Sequence, residues 1–167
     1  MARIAGRLTG SMSGNREEQY VAFYLAGQTY GVNIEVVFEI NRITAITRVP
    51  RTPEFVEGVI NLRGKIIPVI DLCKRFNLNL AETSSSNMTI IVELGGNTIG
   101  MIVDGVSEVV RVPLDSIEPP PPMIHGIEAN YLKGISILDG KLMILLNMEK
   151  VLYETEEKGY FAAAETA

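Results

Sequence analysis

Catalysis needs convergent polar groups, and the residue types best suited to it are scarce in this chain. It has one histidine, His125, and one cysteine, Cys73. A Ser-His-Asp or Cys-His nucleophile would have to recruit His125. That residue follows the proline run Pro119–Pro122 and precedes Gly126, the setting of an exposed loop histidine. Cys73 stands beside Leu72 and reads as a small apolar filler, because a reactive thiol needs a partner base. A zinc site takes about four His, Cys or carboxylate ligands, and one His with one Cys falls short. Asp71 and Asp104 occur singly at the ends of apolar runs, where a cap or a solvated strand end is the expected role. The run Gly95-Gly96-Asn97-Thr98-Ile99-Gly100 superficially resembles a nucleotide-binding loop. Such a loop joins a strand to a helix, whereas this one turns between two strand patterns. These residues argue against an enzyme and against a metal or cofactor.

The composition narrows the remaining classes. Apolar residues are 47% of the chain and charged residues 21%, which permits a core and argues against wholesale disorder. The net charge of −5 repels phosphate backbones and anionic lipid. Tryptophan is absent and aromatics are 7%. Tyr20, Phe23 and Tyr24 fall on both faces of one strand pattern, unlike a base-stacking platform. A single cysteine excludes an intrachain disulfide and suits a reducing compartment. Residues Met1 to Arg16 lack the apolar stretch of a signal peptide, and no apolar run reaches membrane length. A cytoplasmic protein is expected.

The elements that would position these residues are mostly strands. Residues 1–17, rich in Gly and Ser, are expected to be a flexible tail. From Gln19 or Tyr20, Val21, Phe23 and Leu25 alternate with Ala22 and Tyr24, the period of a strand. Ala26-Gly27-Gln28 turns the chain, and Thr29 to Ile34 returns. Val36 to Ile40 continues in an apolar segment, and Ile43 to Val49 predicts another strand. Thr52-Pro53-Glu54 predicts a short helix start. A hairpin is expected across Arg63-Gly64, joining Val59–Leu62 to Lys65–Asp71, with a short helix over Leu72–Phe76. After the loop 81–87 come Thr89–Leu94, Thr98–Val103 and Val106–Val112. A second hairpin turns at Asp139-Gly140. Residues 148–153 predict a closing helix and 154–167 a second tail. Pro68 lacks a ladder donor, so its strand should be open or bulged there.

The second half repeats the first. Leu25, Gly27, Thr29, Gly31, Glu39 and Arg42 recur as Leu94, Gly96, Thr98, Gly100, Glu108 and Arg111, a constant offset of 69 positions (Gly31 to Gly100). Gly58, Leu62, Gly64 and Lys65 recur as Gly134, Leu138, Gly140 and Lys141, an offset of 76 (Gly58 to Gly134). Matched glycines mark turns and close backbone approaches. They imply two copies of one unit of about five short strands, a mainly β fold of two small barrels. Neither copy buries enough alone, so the two should pack together. The expected domain spans 18–153, with intertwined halves at about 19–80 and 88–147.

The stretch Val56-Glu57-Gly58-Val59-Ile60-Asn61-Leu62-Arg63-Gly64-Lys65-Ile66-Ile67-Pro68-Val69-Ile70-Asp71-Leu72 closely resembles the signature of the CheW family of chemotaxis coupling proteins. Tyr30-Gly31-Val32-Asn33-Ile34 with Val37-Phe38-Glu39-Ile40 is similar to the same family. So are Gly100-Met101-Ile102-Val103-Asp104-Gly105-Val106 and Leu145-Leu146-Asn147-Met148-Glu149-Lys150-Val151-Leu152. The resemblance covers roughly Gln19 to Tyr153.

The resemblance implies two SH3-like five-stranded barrels over a shared apolar core, with short helices and a C-terminal helix. It implies a non-enzymatic adaptor without cofactors. Its partners would be the cytoplasmic tip of chemoreceptors and the regulatory domain of the histidine kinase CheA, in arrays at the inner membrane. By the same resemblance, Val37, Glu39, Ile40 and Arg63 match positions that affect kinase coupling. Ile34, Val103, Val106 and Val109 are the candidates for a receptor groove between the barrels. Arg63 reads either as an ordinary turn arginine or as a partner of Glu39 that fixes a partner-facing turn. Val37, Ile40 and the groove residues could equally be core. Glu57 stands where some relatives carry a basic residue, which puts a transferred charge pair there in doubt. The rival class is a small-ligand-binding double barrel, which needs a pocket with convergent polar groups.

Overall fold

The fold is taken from a computed structural model, which describes residues 2–3, 16–42, 45–78, 88–121, 123–124 and 127–153. A dipeptide strand, β1 (Ala2–Arg3), precedes β2 (Glu17–Leu25) and β3 (Gln28–Asn33). β2 thus begins at Glu17, inside the expected tail, and Ala2–Arg3 of that tail is paired. A 3-10 turn over Ile34–Val36 leads into β4 (Val37–Arg42). The hairpin of β5 (Val56–Leu62) and β6 (Lys65–Asp71) ends in α1 (Leu72–Arg75). There follow β7 (Met88–Leu94), β8 (Asn97–Val103) and β9 (Gly105–Pro113), then the short β10 (Met123–Ile124) and β11 (Ile127–Glu128). β12 (Leu132–Leu138), β13 (Lys141–Leu146) and α2 (Met148–Tyr153) complete the described chain.

Two expected elements are absent from the described residues. In place of a strand over Ile43–Val49, of which residues 45–49 are described, Thr47 makes a single bridge to Val59. No helix starts at Thr52. Its hydroxyl instead donates to the Val49 carbonyl at 3.0 Å, closing a turn. The reason is local: Pro50 and Pro53 remove two donors from a short stretch, and Arg51 takes a left-handed φ of 64°. His125 and the loop 81–87 lie outside the described residues. Pro68 sits opposite Val59 on β5, one residue before parallel pairing of β6 with β8 begins at Val69. Its other side is therefore open.

The barrels do not coincide with the repeats. One sheet has the order β1-β4-β7-β8-β6-β5 and the other β12-β13-β3-β2-β9. The first barrel therefore takes β4, β5 and β6 from the first copy but β7 and β8 from the second. The second barrel takes β9, β12 and β13 with the hairpin β2–β3 of the first copy. The copies have exchanged their leading hairpins. The seams are matching parallel pairs, Leu145 opposite Gly31 and Val69 opposite Gly100.

Each barrel closes through one two-way backbone bridge, Thr47 with Val59 and Glu118 with Ile135, with N···O distances of 2.8–2.9 Å. The repeated glycines Gly58 and Gly134 make closure possible. A Cβ on Gly58 would lie 2.1 Å from the Thr47 carbonyl oxygen, and one on Gly134 2.8 Å from that of Glu118.

Burial follows the strand period on both faces of β2. Val21, Phe23 and Leu25 point into the core shared by the barrels, with Tyr30, Ile70, Ile90, Met101, Ile144 and Val151. Tyr20 and Ala22 point into the second barrel with Val112, Met143 and Leu145. Ile60, Ile67, Val69, Ile91 and Ile102 fill the first. The shared core carries the ring series Phe23–Tyr30–Phe76–Tyr131, with centroids 5.7–6.4 Å apart. Arg75 lies between the rings of Phe55 and Tyr131 (5.0 and 4.9 Å), and its Nε donates to the Val151 carbonyl at 3.0 Å. This pins α1 to α2.

Candidate functional site

Glu39 is at the centre of the first cluster. Strand alternation on β4 turns it inward, and it is fully buried. A buried carboxylate must be paired. Arg63 Nη2 donates to Glu39 Oε1, and Asn41 Nδ2 donates to Oε2 at 2.6 Å. Arg63 reaches it from the β5–β6 turn, where Arg63 and Gly64 have φ of 52° and 86°, the signature of a primed hairpin turn. The Asn61 side chain accepts from the Gly64 N–H at 2.7 Å and stiffens the turn. Lys65 Nζ donates to Thr98 Oγ1 at 3.1 Å, tying the turn to β8. The Arg63 side chain stays 57% exposed, so the turn presents a fixed cation to solvent. Ile66 beside it is 61% exposed.

The candidates Val37 and Ile40 part company. Val37 is buried in the shared core, so it is not open to a partner, whereas Ile40 is half-buried against that core. Ile66 was missed in the sequence, although the period shared with inward Ile67 and Val69 turns it outward. Glu57 accepts from Lys74 Nζ at 2.7 Å, so its charge is used within the fold. That bond, then the Glu57 charge, holds the Lys74 amine above its usual range.

The groove candidates also divide. Val103 is a core residue, 1% exposed, because one face of β8 packs in the shared core and the other, with Ile102, in the first barrel. Val106 and Ile34 are half-buried against the same core, and Val109 is open. Val109 and Val106 lie on β9 opposite Val21 and Phe23 of β2, while Ile34 follows β3 on the other side of β2. The three therefore flank one strand at the junction of the barrels.

Asp71, Asp104 and Cys73 have structural roles. Asp71 Oδ1 accepts from the N–H of Cys73 (2.9 Å) and Lys74 (3.3 Å), capping α1. Burial pushes its carboxyl above the usual range. Asp104 is buried, and its Oδ2 accepts from the Ala26 N–H at 2.8 Å. Burial, helped by the charges of Asp104 and Asp71, pushes the Cys73 thiol up to about 12. It therefore stays protonated, a core filler.

A rigid pair of barrels with an arginine-bearing hairpin tip and an open aliphatic junction defines a protein-binding module. The comparisons carry the identity further. The model of the CheW-like domain family matches residues 19–156. Chemotaxis protein CheW of Klebsiella aerogenes is 32% identical over 93% of this chain and 90% of its own length. That of Rhizobium meliloti is 32% identical over 95% of this chain and 98% of its own length. The crystal structure of scaffolding protein TtCheW from Thermoanaerobacter tengcongensis superposes with a TM-score of 0.77 at 44% identity, covering 83% of this chain and 94% of that one. The chain belongs to the CheW-like family, and its role is that of a chemotaxis coupling adaptor.

Proposed function

We propose that the adaptor joins the cytoplasmic tips of chemoreceptors to the regulatory domain of the histidine kinase CheA, and so places the kinase under receptor control. The kinase docks on the end of the first barrel, at Arg63, Glu39 and Ile40. The observation that carries this reading is the ion pair of a fully buried Glu39 with a mostly exposed Arg63 on a hairpin tip. A buried carboxylate spent on orienting a surface cation has little value for stability and suits recognition. A receptor helix lays its apolar side along the barrel junction at Ile34, Val106 and Val109, as helices do in other grooves. The two partners are held by a rigid bridge, so a receptor change shifts the kinase between two states. The setting is the cytoplasm, at receptor arrays on the inner membrane. Among the described residues no helix is long and apolar enough to cross a membrane.

Pull-down of the chain with a kinase regulatory domain and with a receptor fragment tests this directly. Arg63→Ala should lose the kinase domain and receptor-dependent kinase control while retaining the receptor fragment. Equal receptor-dependent kinase activity in the variant and the wild type would sink the assignment of the first barrel end.

A further inference from the structure

The exchanged hairpins give the barrels one plan, so they can be compared position by position. Glu39, Arg42, Arg63 and Lys65 of the first correspond to Glu108, Arg111, Asp139 and Lys141 of the second. The strands match as well. Val37 and Ile40 face Val92 and Ile90 across a bulge on β4, and Val106 and Val109 face Phe23 and Val21 across a bulge on β9. At one point the plan breaks. In the first barrel the turn arginine reaches back onto the buried glutamate and closes the barrel end. In the second the turn residue is Asp139, which cannot pair with Glu108, and both are exposed. Among the described residues neither carboxylate makes an ion pair or a side-chain hydrogen bond.

Where the first barrel holds its guanidinium, the second has an open mouth of about 400 Å³, whose lining includes Tyr24, Thr29, Glu108, Arg111, Asp139 and Lys141. The backbone beside it is open too. β9 ends the order of its sheet, and no strand pairs with its outer edge among the described residues. The matching edge of β4 is filled: β1 pairs with it antiparallel, Ala2 opposite Ile40 and Arg3 opposite Glu39. The molecule thus contains an occupied copy of the vacant site.

The geometry points to a second docking site at this mouth, which takes an extended, arginine-bearing segment of a partner protein. The segment adds to the β9 edge as β1 adds to β4, by backbone hydrogen bonds. Its guanidinium enters between Glu108 and Asp139, standing in for the turn arginine that Asp139 replaces, beside Arg111 and Lys141 of the same lining. A guanidinium suits two carboxylates better than an ammonium because its planar fork can donate to both. Tyr24, 40% exposed at the rim, offers it a ring face. The site borders the barrel junction at Val109, which is also on its lining, but strand alternation puts Glu108 on the same face as Val110 and Val112, which pack in the second barrel.

The test uses the full ¹⁵N-labelled chain and a capped peptide reproducing Met1–Arg7, which carries the strand already seen on β4. Titration should shift the amides of Ser107–Arg111 and Asp139–Lys141 and spare Glu39–Asn41. Replacing the peptide's arginines by alanine should abolish binding. Glu108→Gln should weaken it roughly tenfold. Asp139→Arg should abolish it by supplying the guanidinium within the chain, with the remaining amide spectrum unchanged. Four results overturn the inference: no binding, shifts centred on Glu39–Asn41, undiminished binding by both variants, or concentration-dependent self-association through the β9 amides without peptide.

Discussion

Removing the Arg63 guanidinium takes one donor from the fully buried Glu39, while Asn41 Nδ2 still donates to Oε2 at 2.6 Å. Breaking a fully buried ion pair by deleting one partner costs about 3–5 kcal/mol. The present pair is only half buried, because the Arg63 side chain is 57% exposed. Water can occupy the vacated position and solvate Oε1, which reduces the cost of Arg63→Ala to about 1–2 kcal/mol. The turn itself survives, since the Asn61 side chain still receives the Gly64 N–H. With an m-value of about 2 kcal/mol/M, the urea midpoint should fall by about 0.5–1 M at unchanged m. The decisive comparison is a double-mutant cycle with Glu39→Gln, which removes the buried charge. In that background Arg63→Ala should cost at least about 1 kcal/mol less. Circular dichroism at neutral pH reads both. An equal cost in the two backgrounds would refute the view that Arg63 compensates a buried carboxylate, whatever its effect on kinase binding.

Gly58→Ala places a methyl 2.1 Å from the Thr47 carbonyl oxygen and should cost about 4 kcal/mol or prevent folding. Gly27→Ala, at φ 81° with nothing within 4 Å, should cost only about 1 kcal/mol in a thermal melt. Burial raises the Cys73 thiol from 9.0 to about 12 and pushes the Tyr30 hydroxyl up in the same direction. Both groups hold their protons more tightly when folded, so this stability is intact below about pH 9 and is lost as pH rises toward 12. Alkaline urea melts should show the decline, and a thiol reagent at pH 8 should label Cys73 only on unfolding. Each barrel borrows a hairpin from the other repeat. Fragments separated within residues 79–87 should therefore be unfolded alone and regain native circular dichroism when mixed, and independent folding of either fragment would contradict the exchanged topology.

Local structure was largely legible because its signals are local. The period-2 runs became β2, β3, β7 and β8, and Asp139-Gly140 became the predicted hairpin turn. The glycine repeats located the closures at Gly58 and Gly134. The failures were local too: Ile43–Val49 has strand composition, but Pro50 and Pro53 beyond it end the ladder after one bridge. The pairing of Glu39 with Arg63 was one of two readings open in the sequence, and the fold selects it. Val37 and Val103 could not be assigned in advance. A strand with alternating valines has two apolar faces to offer, and only packing decides whether one meets water.

The amino-acid sequence by itself determined that the chain is a duplicated β unit of a recognisable coupling family, since glycine spacing and strand period are carried by neighbouring residues. It could not determine which hairpin belongs to which barrel. The two copies share one pattern, so β2–β3 satisfies the edge of either barrel equally well on local grounds. Tertiary structure decided for exchange through the long-range pairing of Gly31 with Leu145 and Gly100 with Val69. The same pairing made the two barrel ends one closed and one open version of a single design, because burial and charge compensation depend on residues far apart in the chain.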